Sequence, residues 1–146
     1  MGTETQVFFF ASSETLRKHR TKLRHMDSSA ATKELVKKYY DGLSRKAEWG
    51  HLLSDNFLLT GTIAKESRGR DAYVNNQFFK LVRGLTVKEM AIEGEKAFAL
   101  VNYSLVSPKG KSFSSDVGEF WKVKNGKLDS VAIYFDTAAF NSSMTQ

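Results

Sequence analysis

An Asn-Gly step at Asn125-Gly126, between two apolar β-rich runs at residues 114–123 and 127–136, constrains this chain more than any other feature. A short turn of this kind needs left-handed backbone, which asparagine and glycine tolerate, and it joins the flanking runs as one antiparallel hairpin. Along the first run Val117, Glu119, Trp121 and Val123 share a face by the two-residue strand period, opposite Asp116, Gly118, Phe120 and Lys122. Glu119 is therefore a carboxylate in an otherwise apolar row. The second run ends Ile133-Tyr134-Phe135-Asp136, which sets a second carboxylate beside aromatic rings. The two acids are expected to face one pocket.

What precedes the hairpin must cover its apolar face. Ser28 or Ser29 can cap a helix from Ala30, along which Leu35, Val36, Tyr39, Tyr40 and Leu43 recur at helical spacing while Lys33, Lys37 and Lys38 point to water. After a break at Ser44-Arg45 a second helix is expected around Trp49, Leu52 and Leu53, ending near Asp55. Residues 57–63 then read as a strand, with Leu58, Thr60 and Thr62 on one face. Asp71 can cap a third helix with Tyr73, Val74, Phe78, Phe79, Leu81 and Val82 on its apolar side and Gly84 as its stop. From Thr86 only strands follow, at about 86–93, 97–106, 112–123 and 127–136. Helices first and an antiparallel meander last is an α+β pattern, with the helices on one face of the sheet.

The 146 residues suit one domain, long enough to bury about two-thirds of its unfolded surface. With no cysteine, a disulfide framework, a thiolate metal site and a thiol nucleophile are excluded, and the expected compartment is cytoplasmic. No pair of histidines has metal-ligand spacing, so no metal and no cofactor is expected. The net charge of +6 is uneven: residues 1–26 carry five Lys/Arg against two acids, leaving the body close to balance. A balanced body argues against nucleic acid as a partner, since such binders show a dense basic face.

Residues 1–27 are read as a basic, disordered leader, residues 28–141 as the folded domain and residues 142–146 as a tail. The leader's apolar patch at residues 7–11 is too short for a membrane span or a signal-peptide core. Its basic cluster, Arg17-Lys18-His19-Arg20 with Lys22, Arg24 and His25, fits an organelle presequence, a nucleic-acid arm or a weak nuclear signal as well as it fits a solvated extension.

The order of elements, with Asp41-Gly42-Leu43, Leu52-Leu53-Ser54-Asp55-Asn56-Phe57, Arg68-Gly69-Arg70-Asp71-Ala72, Gly126-Lys127-Leu128 and Tyr134-Phe135-Asp136, resembles the NTF2-like superfamily, and most of all its SnoaL-like and ketosteroid-isomerase-like branch. The resemblance covers about residues 30–140. It implies an α+β cone (the cystatin-like fold): N-terminal helices packed on a strongly bent, mixed but mostly antiparallel sheet, a pocket at one end, and a homodimer through the sheet's outer face. Residues on that face are expected to include some of Ala99, Val101, Tyr103 and Leu105. The resemblance also places Thr60 where the isomerases carry their proton-shuttling Asp, and Glu119 where they carry a protonated acid facing the oxyanion. Asp136 matches the last member of the epoxide hydrolases' Asp-Arg-Asp set, whose other positions fall near Asn102 and Ser104. One piece of each machine is thus retained.

The residues themselves allow acid/base chemistry. Burial beside Trp121 disfavours a charged Glu119 and raises its pKa, while a more solvated Asp136 stays charged, so that one acts as acid and the other as base. The bland alternatives are an edge ion pair for Glu119 and a cap on the turn at Thr137-Ala138-Ala139 for Asp136. Tyr39 and Tyr40 lie about 100° apart on their helix, so that one can face the pocket while the other packs in the core. Asn102 and Ser104, on one strand face with Phe98 and Leu100, can supply neutral hydrogen bonds. Phe78, Trp121 and Tyr134 are aromatic candidates for the wall of a cavity of a few hundred Å³, suited to a flat hydrophobic molecule such as a polyketide, steroid or terpenoid. The expected function is therefore small-molecule binding, with cofactor-independent isomerase, cyclase or dehydratase chemistry as its catalytic form. The alternative is a non-catalytic ligand-binding or dimerisation module.

Overall fold

The computed structural model describes residues 13–62 and 65–146, and the side chains of all of these except residues 21–27. The apolar patch at residues 7–11, the side chains of Lys22, Arg24 and His25, and Ile63 lie outside the described residues.

A long helix α1 (Ser13–Ser44) is followed by a single 3-10 turn (Gly50–Leu52), β1 (Leu53–Gly61), β2 (Ser67–Arg68), α2 (Arg70–Val74) and α3 (Phe78–Leu81). The meander comes next, β3 (Val82–Glu93), β4 (Lys96–Val106), β5 (Ser112–Lys124) and β6 (Lys127–Phe135), closed by α4 (Thr137–Met144). The six strands form one sheet in the order β2-β1-β6-β5-β4-β3. Pairing is antiparallel except between β1 and β6, which makes the sheet mixed but mostly antiparallel. At the expected hairpin Lys124 pairs with Lys127, and Asn125 and Gly126 take φ of 51° and 75°, the left-handed pair that a two-residue turn requires.

Three local readings are corrected by tertiary packing. Serine capping signals near Ser28 do not start the first helix, which runs through them. Ser29 instead accepts a hydrogen bond from the Gly94 N–H (2.8 Å), and Thr32 donates to the Gly94 carbonyl (2.7 Å), tying the helix to the β3–β4 turn. The segment around Trp49 makes one 3-10 turn and enters β1 at Leu53, four residues before the expected strand start, because Leu53 and Phe57 are fully buried against the sheet. The third expected helix is two short pieces, α2 and α3, and β3 begins at Val82 and passes through Gly84 without stopping.

The core lies between the inner sheet face and α1, where Val36, Tyr39, Tyr40 and Leu43 meet Ala99, Val101, Trp121 and Val131. Burying such side chains is worth about 1.5–3 kcal/mol each, so this stripe holds the helix on the sheet. Residues 13–20 are all exposed. Gly61 has a steric reason for its identity: at φ 118°, an added Cβ would sit 1.9 Å from the Ile133 carbonyl oxygen.

Candidate functional site

Strand β5 alternates as its sequence requires: Val117, Glu119 and Trp121 are buried, while Asp116 and Phe120 face out. Glu119 pairs with Ala99 on β4 and Ile133 on β6, so its carboxyl stands in the middle of the inner face, 2% exposed. Three aromatic side chains meet there. The Tyr40 hydroxyl, carried by α1, donates to Glu119 Oε1 at 2.6 Å. Tyr103, on β4 in the same side-chain row, donates at 3.0 Å to either carboxyl oxygen. Trp121, two residues along β5, donates its indole N–H to the Tyr40 oxygen at 2.8 Å.

The network orders its own polarity. An indole N–H can only donate, so Tyr40 accepts from Trp121 and sends its proton to Glu119. Oε1 thus takes the short Tyr40 bond, and Oε2 has only the shared Tyr103 proton among the described residues. Burial raises the Glu119 pKa from its ordinary 4.5 to about 7, against the opposing pull of the Tyr40 and Tyr103 hydrogen bonds. The same burial, with the Glu119 charge beside them, holds the Tyr40 and Tyr103 phenols well above their usual range, so they remain donors.

A cavity of about 300 Å³ opens beside Glu119. Leu59, Val117 and Ile133 of the sheet form its floor, and Tyr73, Phe78 and Phe79 of the short helices form one side. Phe135, Phe140 and Met144 close the end under α4, and Asn76 and Gln77 add amide groups. Among the described residues Glu119 is the only carboxylate on this wall. A second polar pair stands close by, where the Tyr73 and Tyr39 hydroxyls are 2.8 Å apart and either can donate. If Tyr39 donates, the Tyr73 proton is free for a ligand oxygen.

The candidate residues divide clearly. Glu119 and Phe78 lie on the cavity. Tyr40 and Trp121 support Glu119 from behind, and Tyr39 supports Tyr73. The expected sharing of one pocket by two acids is not observed. Asp136 is exposed, lies off the cavity and caps α4 by accepting from the Ala139 N–H at 3.0 Å, satisfying a helix-end donor that would otherwise be unpaired. Thr60 lies on the outer face of β1, because Phe57 and Leu59 take the inner positions. Asn102, Ser104 and Tyr134 also face outward, and Asn102 donates to Asp116 at 2.8 Å. The expected outer-face row Ala99, Val101, Tyr103 and Leu105 is instead the buried inner row, and Phe98 and Leu100 are its outer neighbours. A one-residue exchange of faces moves every side chain of a strand, and β4 is apolar on both.

Tyr103, expected on the outer dimer face, and Tyr73, expected only as helix packing, are the polar partners missing from the candidate residues. The available signal for Tyr103 was its place in a strict two-residue row with Val101 and Leu105, facing the row of Glu119. Nothing local marks Tyr73, Phe140 or Met144 as cavity residues, since chain segments far apart in sequence bring them together. Among the described residues no three His, Asp or Glu side chains are arranged to hold a metal ion, and no helix is long and apolar enough to cross a membrane.

No family sequence profile matches the chain, and no curated protein matches it by sequence. Solved structures do match in shape. A protein from Jannaschia sp. CCS1 described as a SnoaL-like polyketide cyclase superposes with a TM-score of 0.70 at 13% identity, covering 80% of this chain and 93% of the other. TerC, crystallised with polyporic acid, gives 0.69 at 14% identity, covering 80% of this chain and 99% of the other. A protein from Kribbella flavida DSM 17836 described as a ketosteroid isomerase gives 0.63 at 23% identity over 74% of this chain and 79% of the other. The chain has the NTF2-like fold, as the order of its elements implied.

Proposed function

We propose that this chain binds a compact, largely apolar small molecule in the Glu119 cavity and moves a proton on it without a cofactor, as an isomerase, cyclase or dehydratase does. One observation carries the reading: a lone carboxyl, enclosed by apolar side chains and held by two phenols, stands on the wall of a cavity large enough for a ligand, its pKa pushed up to about 7 by burial. Such a group is present in both protonation states near neutrality, as general acid/base catalysis requires. Oε2 removes a proton from the carbon next to a ligand carbonyl, the carbonyl oxygen takes up the negative charge, and the proton returns to a different carbon or to a departing hydroxyl. The Tyr73 hydroxyl, backed by Tyr39, is the donor available for that oxygen. The neighbours described as a polyketide cyclase and a ketosteroid isomerase, and the ligand of TerC, favour a small organic molecule as the partner. We place this chemistry in the cytoplasm, since the chain has no cysteine to call for an oxidising compartment.

A ketone with exchangeable protons provides the test. With 2-tetralone in heavy water, the protein is expected to speed deuterium uptake about a hundredfold over buffer, the scale of one well-placed acid/base group, and Glu119→Gln is expected to abolish the gain. Uptake at the buffer rate, together with a Glu119 carboxyl titrating near 4.5 by carbon NMR, removes the catalytic reading.

The second reading, a non-catalytic binding and dimerisation module, is favoured by the outer sheet face, where Phe98, Phe120 and Tyr134 are 39%, 36% and 54% exposed. A homodimer through this face leaves the cavity untouched, and Phe120→Lys is expected to shift the sedimentation equilibrium to monomer.

A further inference from the structure

Beside the cavity, on the far side of α3, lies an open cleft of about 630 Å³ with a different character. Lys46, Lys80 and Arg83 stand on it with His51, against a single carboxylate, Glu48. None of the three cations forms a salt bridge among the described residues, although five other basic side chains do. Arg83 is held in place by its Nη1, which donates to the carbonyls of Lys80 (2.9 Å) and Val82 (3.4 Å). Among the described residues its remaining N–H groups have no partner, and they can meet an anion in the fork geometry that suits carboxylate, sulfonate or phosphate.

Phe79 is the one described residue that borders both spaces. The single turn of α3 forms the partition, with Phe78 and Leu81 on the cavity side and Lys80 on the cleft side. The Phe79 ring is half-buried against Trp49 (4.9 Å) and Tyr73 (5.2 Å), and α3 has no fully buried residue to anchor it. The Phe79 side chain is therefore what stands between an apolar aromatic chamber and a basic vestibule.

We infer that the preferred ligand is an anionic aromatic molecule, its flat body in the cavity and its acidic group passing Phe79 to rest between Arg83, Lys80 and Lys46. The inference rests on the cavity reading above and adds the charge of the ligand. Desolvating the body in the chamber supplies affinity, and the solvated cations at the rim supply selection and a faster encounter.

Two dyes that differ by one group test it in fluorescence titrations of the full chain: anilinonaphthalene sulfonate, and N-phenyl-naphthylamine, which has the same rings without the sulfonate. At low salt the sulfonate is expected to bind about tenfold more tightly, the scale of two solvent-exposed ion pairs, and to lose that advantage as salt is raised. The double charge reversal Lys80→Glu, Arg83→Glu brings the two dyes within about twofold by weakening only the sulfonate. Filling the cavity with Val117→Phe, or with Ile133→Phe if the first variant does not fold, weakens both dyes, as a molecule spanning the two spaces requires. Equal affinity of the dyes, or an advantage that survives the charge reversal, overturns the inference and leaves the cavity reading standing. Dye binding that ignores both cavity-filling variants overturns the two together.

Discussion

Asp116 and Glu119 stand three residues apart on one strand and show opposite electrostatic behaviour. Asp116, on the outer face, accepts from Asn102 at 2.8 Å and from Lys88 at 3.1 Å, and these contacts hold its pKa below the ordinary value. Glu119, on the inner face, also accepts hydrogen bonds, from two tyrosines, yet its pKa rises to about 7. Each acid has donors. Only one has water, and removing water outweighs the donors when no cation accompanies them.

The largest expected effect separates the two acids by pH. A carboxyl whose pKa is raised on folding stabilises the native state in full below its unfolded value of 4.5, and that contribution is lost as pH rises to about 7. The loss is roughly 3 kcal/mol for a shift of this size. Urea unfolding of the wild type and Glu119→Gln across this window should show a difference that grows with pH. Parallel curves would show that Glu119 titrates alike in both states. Asp116 has the opposite sign, since a depressed pKa adds stability above the unfolded value and loses it as pH falls through the folded one.

A smaller effect probes the network that supports the buried acid. Tyr40→Phe removes the shortest bond to Glu119 and leaves the Trp121 N–H without its acceptor, at a cost of about 1–3 kcal/mol. Because that bond favours the carboxylate, the Glu119 pKa should move further upward, measured by carbon NMR; a downward movement would reverse the assigned direction of the bond. Asp136→Ala should cost about 1 kcal/mol by removing the α4 cap. Its effect should appear as faster amide exchange at Phe140 and Met144, with the Glu119 titration unchanged. Asp116→Asn completes the series with no resolvable change in stability, because exposed pairs of this kind contribute little.

Legibility followed the range of the forces involved. The Asn125-Gly126 turn and the alternation along β5 are local, and both appeared as read, with Glu119 inside. The faces of β4 were exchanged, since Phe98 and Leu100 are as apolar as Ala99 and Val101, and only packing against α1 chooses between them. The sequence around Asp136 fits two roles, pocket acid or helix cap, and its short side chain beside the Ala139 N–H makes it a cap. The expected cap near Ser28 is absent because α1 runs through it and Ser29 bonds instead to Gly94, a residue remote in sequence.

By itself the sequence determined the hairpin, the apolar stripe of the first helix and the presence of one acid in an apolar row, all consequences of turn geometry and side-chain period. The tertiary structure alone decided what surrounds that acid. Tyr40, Tyr103 and Trp121 converge on it from a helix and two strands, and Phe140 and Met144 close its cavity from the last helix. A pKa depends on the dielectric and donors within a few ångströms, and those neighbours are chosen by the packing of distant segments rather than by any spacing along the chain.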